Sequence, residues 1–174
     1  QFFQVVQGYT PFQSGVRTLP WTAAPLVVAP IAGLIVDRVG ARTLIVTGQA
    51  FLAAALGWIA LVATSTTQYG DLVAPFVLAG IGMGLTFAPS ASVVMDSASE
   101  ADRGVASGTN NTIREVGVAM GVAVLASVFA SAGSYESPTQ YAAGLVPAVW
   151  TGAAVVAAGT LVALLLPGRR RSTV

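Results

Sequence analysis

The stretch GLIVDRVGAR, residues 33–42, joins two long apolar segments through a very short polar turn. Gly33 lets its helix approach a neighbour closely, as small residues do in bilayers, and Gly40 permits the backbone reversal of a short loop. The carboxylate of Asp37 can cap the next helix or pair with an arginine. An ordinary cytoplasmic turn needs arginines but not the glycines and the aspartate, so this spacing favours a specialised loop. Its two arginines are Arg38 and Arg42.

The composition places this loop in a membrane protein. The 174 residues are 55% hydrophobic and 9% charged, with a mean hydropathy of +0.76, whereas about a quarter of a soluble domain is charged. The sequence has no cysteine and no histidine, which excludes a disulfide, thiol or imidazole metal sites, a cysteine nucleophile and a histidine base. The net charge of +1, with arginines spread among the loops, gives no indication of nucleic-acid binding.

Five apolar segments are each long enough to cross the hydrocarbon core, which takes about 20 helical residues. Turn-forming residues separate them. The predicted spans are residues 15–36, 43–64, 72–95, 105–130 and 144–166. Residues 1–7 are expected to be the end of a truncated membrane helix, and residues 167–174 a basic cytoplasmic tail. The sequence therefore predicts an all-α transmembrane bundle over residues 8–166.

The positions of the arginines predict an orientation. Every second loop between the predicted spans, together with the C-terminus, contains arginines. These are Arg38, Arg42, Arg103, Arg169, Arg170 and Arg171. By the positive-inside rule these parts are cytoplasmic, so the C-terminus is expected inside and the N-terminal stub outside. Arg17 is the exception, because it would lie outside. A chain rich in Ala, Gly, Val and Arg without lysine is typical of a GC-rich bacterial gene, which predicts the bacterial cytoplasmic membrane.

The loop at residues 33–42 resembles the signature cytoplasmic loop of the major facilitator superfamily, in the copy found in the C-terminal half. GYTPFQSGVRTLP, residues 8–20, is similar to the outer loop that opens the C-terminal half of fourteen-helix drug:proton antiporters. GIGMGLTFAPS (80–90) and ADRGVASGTNNTIREVGVAMGVAV (101–124) resemble the last-but-two and last-but-one helices of those exporters. The resemblance implies five complete helices of a C-terminal half, plus the end of a truncated one.

The resemblance also implies a function. A proton-coupled secondary transporter of this kind exports hydrophobic or cationic compounds by alternating access, with the proton gradient in place of a cofactor. The implied partners are a small-molecule substrate, the lipid bilayer and a missing N-terminal half, without nucleic acid. Two alternatives stay open: a major facilitator carrier for a nutrient or metabolite, and a non-transporting membrane scaffold or sensor. An enzyme is not expected, because the sequence shows no nucleophile–base pair and no metal cluster.

Arg114 and Glu115 are adjacent charges near the start of the fourth predicted span. Ionisable residues inside a membrane are functional candidates by default. Adjacent side chains on a helix point about 100° apart, so the two are not expected to face each other. Arg114 shares a stripe with Asn110, Gly117 and Gly121, and this stripe is predicted to meet another helix. Arg114 would then pair with a carboxylate or with carbonyl groups of that helix, in a structural or gating role.

Glu115 and Asn111 lie on a second stripe that is expected to face the central pathway. Desolvation favours the neutral form of a carboxyl group and a nearby cation favours the charged form, so a carboxyl group there is a candidate to exchange protons. The resemblance supports this role, because similar exporters have an acidic residue two positions before the first glycine of this G-x-x-x-G. Pairing with an arginine near the cytoplasmic face is the alternative. Proton-coupling or substrate candidates are therefore Glu115, Asn111 and Arg114.

The remaining predictions concern the loop and the packing of the helices. The resemblance makes the stretch at residues 33–42 a gating loop. Its members are Gly33, Asp37, Arg38, Gly40 and Arg42. Small residues at helical spacing predict close helix contacts. The predicted packing glycines are Gly80, Gly84, Gly117 and Gly121. No metal site is predicted.

Overall fold

The computed structural model describes residues 1–166, in which every regular element is an α-helix. Seven helices follow one another in this part of the chain: α1 Phe2–Val5, α2 Pro11–Arg17, α3 Leu19–Val39, α4 Ala41–Val62, α5 Tyr69–Asp96, α6 Arg103–Ala132 and α7 Pro138–Ala163. Five stretches are long and apolar enough to cross a membrane, with α2 and α3 together forming the first. The predicted all-α transmembrane fold is confirmed. The predicted basic tail, residues 167–174, lies outside the described residues.

The first span begins earlier than predicted and is divided into two helices. Pro11 occupies the first turn of α2, where its missing N–H costs nothing, and Thr10 forms a capping box with Gln13. Thr18 then separates α2 from α3, which starts at Leu19 with Pro20 in its first turn. Prolines at 25 and 30 lie inside α3, as membrane helices tolerate when neighbouring groups satisfy the freed carbonyls.

The last span also begins earlier, at Pro138 rather than at residue 144. The Ser137 hydroxyl accepts a hydrogen bond from the Gln140 backbone N–H at 3.3 Å, and Pro138 occupies the first position of the helix. Serine followed by proline is a helix-start signal, so the polar sequence before residue 144 forms the first turns of α7.

Helix α5 lies at the centre of the bundle, packed on α3 and α4. Three glycines on two of its faces allow this. A Cβ built at Gly80 would lie 2.5 Å from the Trp21 carbonyl oxygen in α3, and one at Gly84 would lie 2.8 Å from Val28 Cβ. On the other face, a Cβ at Gly82 would lie 2.5 Å from the Gly48 carbonyl oxygen in α4. Backbones therefore meet with almost no side chain between them.

Helix α7 packs on both α4 and α6, whereas α6 packs mainly on α7 and has no buried residue. Because the long helices alternate in direction, their loops collect at two ends of the bundle. One end, which we call the arginine end, contains Arg38, Arg42 and Arg103. The other, which we call the aromatic end, contains Phe3, Tyr9, Tyr69, Tyr135 and Tyr141, whose rings pack in contact with neighbouring rings.

Candidate functional site

Three polar side chains of α6 form one hydrogen-bonded group. Arg114 Nη2 donates to Asn111 Oδ1 at 2.8 Å and to Glu115 Oε1 at 3.1 Å. The prediction that Arg114 and Glu115 do not face each other is wrong. The two Cα–Cβ bonds diverge, but both side chains are long enough to bend back along the helix surface and meet.

The group lies deep along the helix. Arg114 is about 17 Å along the axis from the start of α6, a helix of about 45 Å. If a hydrocarbon core of about 30 Å is centred on that helix, the pair lies roughly 9 Å inside it. The Arg114 and Glu115 side chains are 57% and 60% exposed in the chain. Charges at this depth face a cavity or a protein partner rather than lipid, so this surface of α6 needs a polar or protein neighbour.

That neighbour does not come from residues 1–166. Over this range, Arg114 pairs with no carboxylate or carbonyl of another helix. No atom beyond the local helix lies within 4 Å of a Cβ built at Gly117 or Gly121. The predicted packing of these two glycines therefore stays a prediction, while Gly80 and Gly84 lie in the close α3–α5 contact described above.

The loop at residues 33–42 contains the junction between α3 and α4. Gly40 ends α3 and caps α4 with φ +93°, a left-handed conformation that glycine adopts without steric cost. Asp37 and Arg38 are exposed and Arg42 is partly buried. The Asp37 carboxylate neither caps α4 nor pairs with an arginine in the part of the chain that the structure describes. A Cβ at Gly33 would meet no neighbour within 4 Å.

A cavity of about 470 Å³ opens near the arginine end between α4, α5, α6 and α7. Most of its lining is aliphatic, and its polar side chains are Gln49, Ser90 and Asn110. A mainly apolar cavity of this size with a few polar groups is typical of a small-molecule site. Asn110 precedes Arg114 by about one helical turn, whereas Asn111, Arg114 and Glu115 do not line the cavity. A second cavity of about 410 Å³ shares Asn110, Val93 and Val94.

Gln49 is the functional candidate that the sequence reasoning missed. Its Oε1 is buried and has no hydrogen-bond partner in the described chain, and a Cβ at Gly159 would approach it to 3.4 Å. An unsatisfied buried amide oxygen is costly and calls for an explanation such as a water or a ligand. The signal was present in the sequence, since Gln49 is an uncharged polar residue in the middle of a span.

The comparisons with known proteins agree with this architecture. The family model described as Major Facilitator Superfamily matches residues 1–122. The chain belongs to the major facilitator superfamily.

Three of its relatives have names that state an export or resistance role. Multidrug resistance protein Stp of Mycobacterium tuberculosis is 36% identical over 75% of this chain and 24% of its own length. Cephamycin export protein CmcT of Amycolatopsis lactamdurans is 34% identical over 98% of this chain and 35% of its own length. Multidrug efflux pump LfrA of Mycolicibacterium smegmatis is 34% identical over 91% of this chain and 31% of its own length.

The chain spans about a quarter to a third of the length of these curated relatives. Family membership and the five long apolar helices make it part of a multi-pass membrane protein, whose relatives are transporters.

Proposed function

We propose that this chain is part of a proton-coupled exporter of hydrophobic or cationic compounds, in the fourteen-helix branch of the superfamily. The observation that carries the proposal is the Arg114–Glu115 pair, an ionisable group at membrane depth on a helix face left uncovered by residues 1–166. The export and efflux roles named for the relatives supply the direction of transport and the class of compound.

The pair can couple proton movement to a change in the surface of α6. With Glu115 deprotonated, Arg114 binds both Glu115 and Asn111, and the two charges cancel. When Glu115 takes up a proton from the outside, its carboxyl group becomes neutral and the attraction to Arg114 falls. Arg114 then carries an uncompensated positive charge, held by Asn111 alone. Loss of the proton to the cytoplasm restores the pair.

A cationic compound beside Glu115 acts in the opposite direction, because it favours the deprotonated carboxylate. Proton and compound therefore compete for one group, which is what antiport requires. The mainly apolar cavity lined by Asn110 is large enough to hold such a compound, and Gln49 supplies a hydrogen-bonding group there.

Alternating access also requires a second half of the transporter. The exposed surface of α6 is proposed to contact it, because no atom of residues 1–166 beyond the local helix lies within 4 Å of a Cβ built at Gly117 or Gly121, and such small residues allow a close helix contact. The proposed location is the bacterial cytoplasmic membrane, with the arginine end and the C-terminus on the cytoplasmic side. The proton gradient is the energy source, and no cofactor is proposed.

The test uses the full-length protein in energised inverted membrane vesicles, with ethidium as the transported cation. Glu115→Gln is expected to abolish proton-driven transport while ethidium exchange without a gradient persists, because exchange needs no proton transfer. Glu136→Gln is the matched control, since Glu136 is an exposed acid in the loop between α6 and α7.

Proton-driven transport by Glu115→Gln at the wild-type rate would refute the coupling role of Glu115. A wild-type protein that moves no ethidium at any gradient would instead remove the drug-export proposal and point to a nutrient or metabolite as the cargo.

A further inference from the structure

Arg17, the arginine that the topology rule leaves unexplained, is held between two aromatic rings. It is the last residue of α2. Its guanidinium carbon lies 3.7 Å from the centroid of the Tyr9 ring and 5.5 Å from that of the Tyr69 ring. Tyr9 precedes α2, whereas Tyr69 is the first residue of α5. One cation therefore bridges two segments that are about 50 residues apart in the sequence.

The surroundings of Arg17 strengthen this attraction. Arg17 Nε is buried and has no hydrogen-bond partner within the described range, and Nη1 makes one long bond, of 3.4 Å, to the Gln13 carbonyl oxygen. No carboxylate of residues 1–166 forms an ion pair with it. Arg17 is partly buried, and a guanidinium that is partly withdrawn from water and has no carboxylate partner is attracted to ring faces more strongly than a fully exposed one.

A second contact joins the same two segments. Gln7 Nε2 donates to the Thr67 carbonyl oxygen at 2.6 Å. Thr67 is itself firmly placed, because it is buried and its hydroxyl accepts from the Thr64 backbone N–H at 2.7 Å and donates to the Val62 carbonyl oxygen. The segment before α3 is therefore attached at two points to the structure around the α4–α5 loop.

Apolar burial alone does not explain the position of α2. Of its seven residues only Ser14 is buried, at 7% exposed, and Phe12 is 81% exposed. We infer that Arg17, with Tyr9 and Tyr69, is a clamp that fixes α2 and the start of α3 against the start of α5 at the aromatic end. The inference goes beyond the proposed function and does not depend on it. Because α3 packs along α5, the clamp attaches α2 to the α3–α5 pair.

The experiment measures whether α2 is released when the clamp is removed. The sequence has no cysteine, so Ser14→Cys reports the buried side of α2 and Phe12→Cys its exposed side, in a full-length protein otherwise free of cysteine. Labelling with a membrane-impermeant maleimide is followed in intact cells and in inverted vesicles, so that α2 is reached whichever side of the membrane it faces. Arg17→Gln is expected to speed labelling of Ser14→Cys by about 5- to 30-fold, the factor that corresponds to a cation–π contact, without changing the rate at Phe12→Cys.

Two further variants test the mechanism of the clamp. Tyr9→Phe keeps the ring and is expected to label as slowly as the wild-type background, whereas Tyr9→Leu labels faster, up to the rate of Arg17→Gln, because it removes the closer of the two ring contacts. The double variant Arg17→Gln with Tyr9→Leu is expected to label no faster than Arg17→Gln alone, because Arg17→Gln already removes both ring contacts. Arg17→Lys keeps the charge but loses the planar group, so its rate is intermediate.

An unchanged labelling rate in Arg17→Gln would overturn the inference, as would rate increases that multiply in the double variant. Should Arg17→Gln fail to fold, the comparison of Tyr9→Phe with Tyr9→Leu decides the same question. Labelling is independent of transport, so a protein that moves no ethidium still gives an answer about the clamp.

Discussion

The close helix crossing where α4 meets α5 at Gly48 and Gly82 makes Gly82→Ala an informative change. The added Cβ would lie 2.5 Å from the Gly48 carbonyl oxygen and 2.8 Å from the Leu52 backbone nitrogen. Both obstacles are backbone atoms of α4, so no side-chain rotation relieves them. The two helices must move apart.

The size of the effect follows from those distances. Non-bonded carbon atoms are most stable about 3.5–4.0 Å apart, so relief requires a separation of about 1 Å, which forfeits a quarter to a half of the attraction at the contacts that open. Overpacking typically costs about 1–3 kcal/mol, and backbone obstacles place this site near the upper value. Alanine regains up to about 1 kcal/mol of helix preference over glycine. The expected net loss is about 2 kcal/mol, or roughly 30-fold in the unfolding equilibrium.

The loss can be measured by titrating the full-length protein in bicelles with sodium dodecyl sulfate and following tryptophan fluorescence. Gly15→Ala is the control, because no atom beyond the local helix lies within 4 Å of its new Cβ within residues 1–166, and Gly15 lies on α2 rather than on the face of α6 proposed to contact the second half. This control is expected to be as stable as the wild type or slightly more stable. If Gly82→Ala and Gly15→Ala unfold at the same detergent fraction, the close α4–α5 crossing is refuted.

Three further changes test other features. Gly40→Ala places a side chain at φ +93° and is expected to lower the free energy of unfolding by about 1–3 kcal/mol in the same titration. If this variant loses no more stability than Gly33→Ala, whose Cβ meets no neighbour, the assigned turn is contradicted. Gly144→Ala brings a Cβ to 2.8 Å from a carbonyl oxygen of α6, so it is expected to push α6 and α7 apart and to lower disulfide cross-linking between cysteines placed on these two helices. The control Gly108→Ala is expected to leave the cross-linking unchanged. Gln49→Leu removes a buried amide oxygen that has no partner, so it is expected to stabilise the protein by about 1 kcal/mol. The same variant is expected to raise the apparent KM for ethidium. A destabilised variant with an unchanged KM would show that the amide has a structural role.

The number and type of the helices could be predicted from the sequence because the bilayer imposes a simple rule. Runs of about 20 apolar residues, separated by turn residues, can only be spanning helices. The ends were harder, because they depend on single caps. Ser137 and Pro138 extend α7 backwards through residues that look like a loop, and Thr18 separates α2 from α3 within one apolar stretch.

The candidate site was less predictable because it depends on side-chain reach and on which helices meet. A helical projection gives only the direction of each Cα–Cβ bond, and it therefore predicted that Arg114 and Glu115 point to different faces. The full side chains bend along the helix surface and form an ion pair. Gln49 becomes a functional candidate only because α4, α5 and α7 come together around the cavity that it lines. The place of Arg17 between Tyr9 and Tyr69 likewise needs a contact between distant segments.

The local pairing in α6 has a consequence for biosynthesis. A lone arginine or carboxylate at the centre of a helix adds about 2.5–3.5 kcal/mol to the cost of entering the bilayer. Arg114 finds both its partners, Asn111 and Glu115, within one turn of the same helix. α6 can therefore leave the translocation channel with its charges already matched, before any later segment has been synthesised. Packing on α7 follows once that helix emerges, so the order of synthesis and the order of assembly agree.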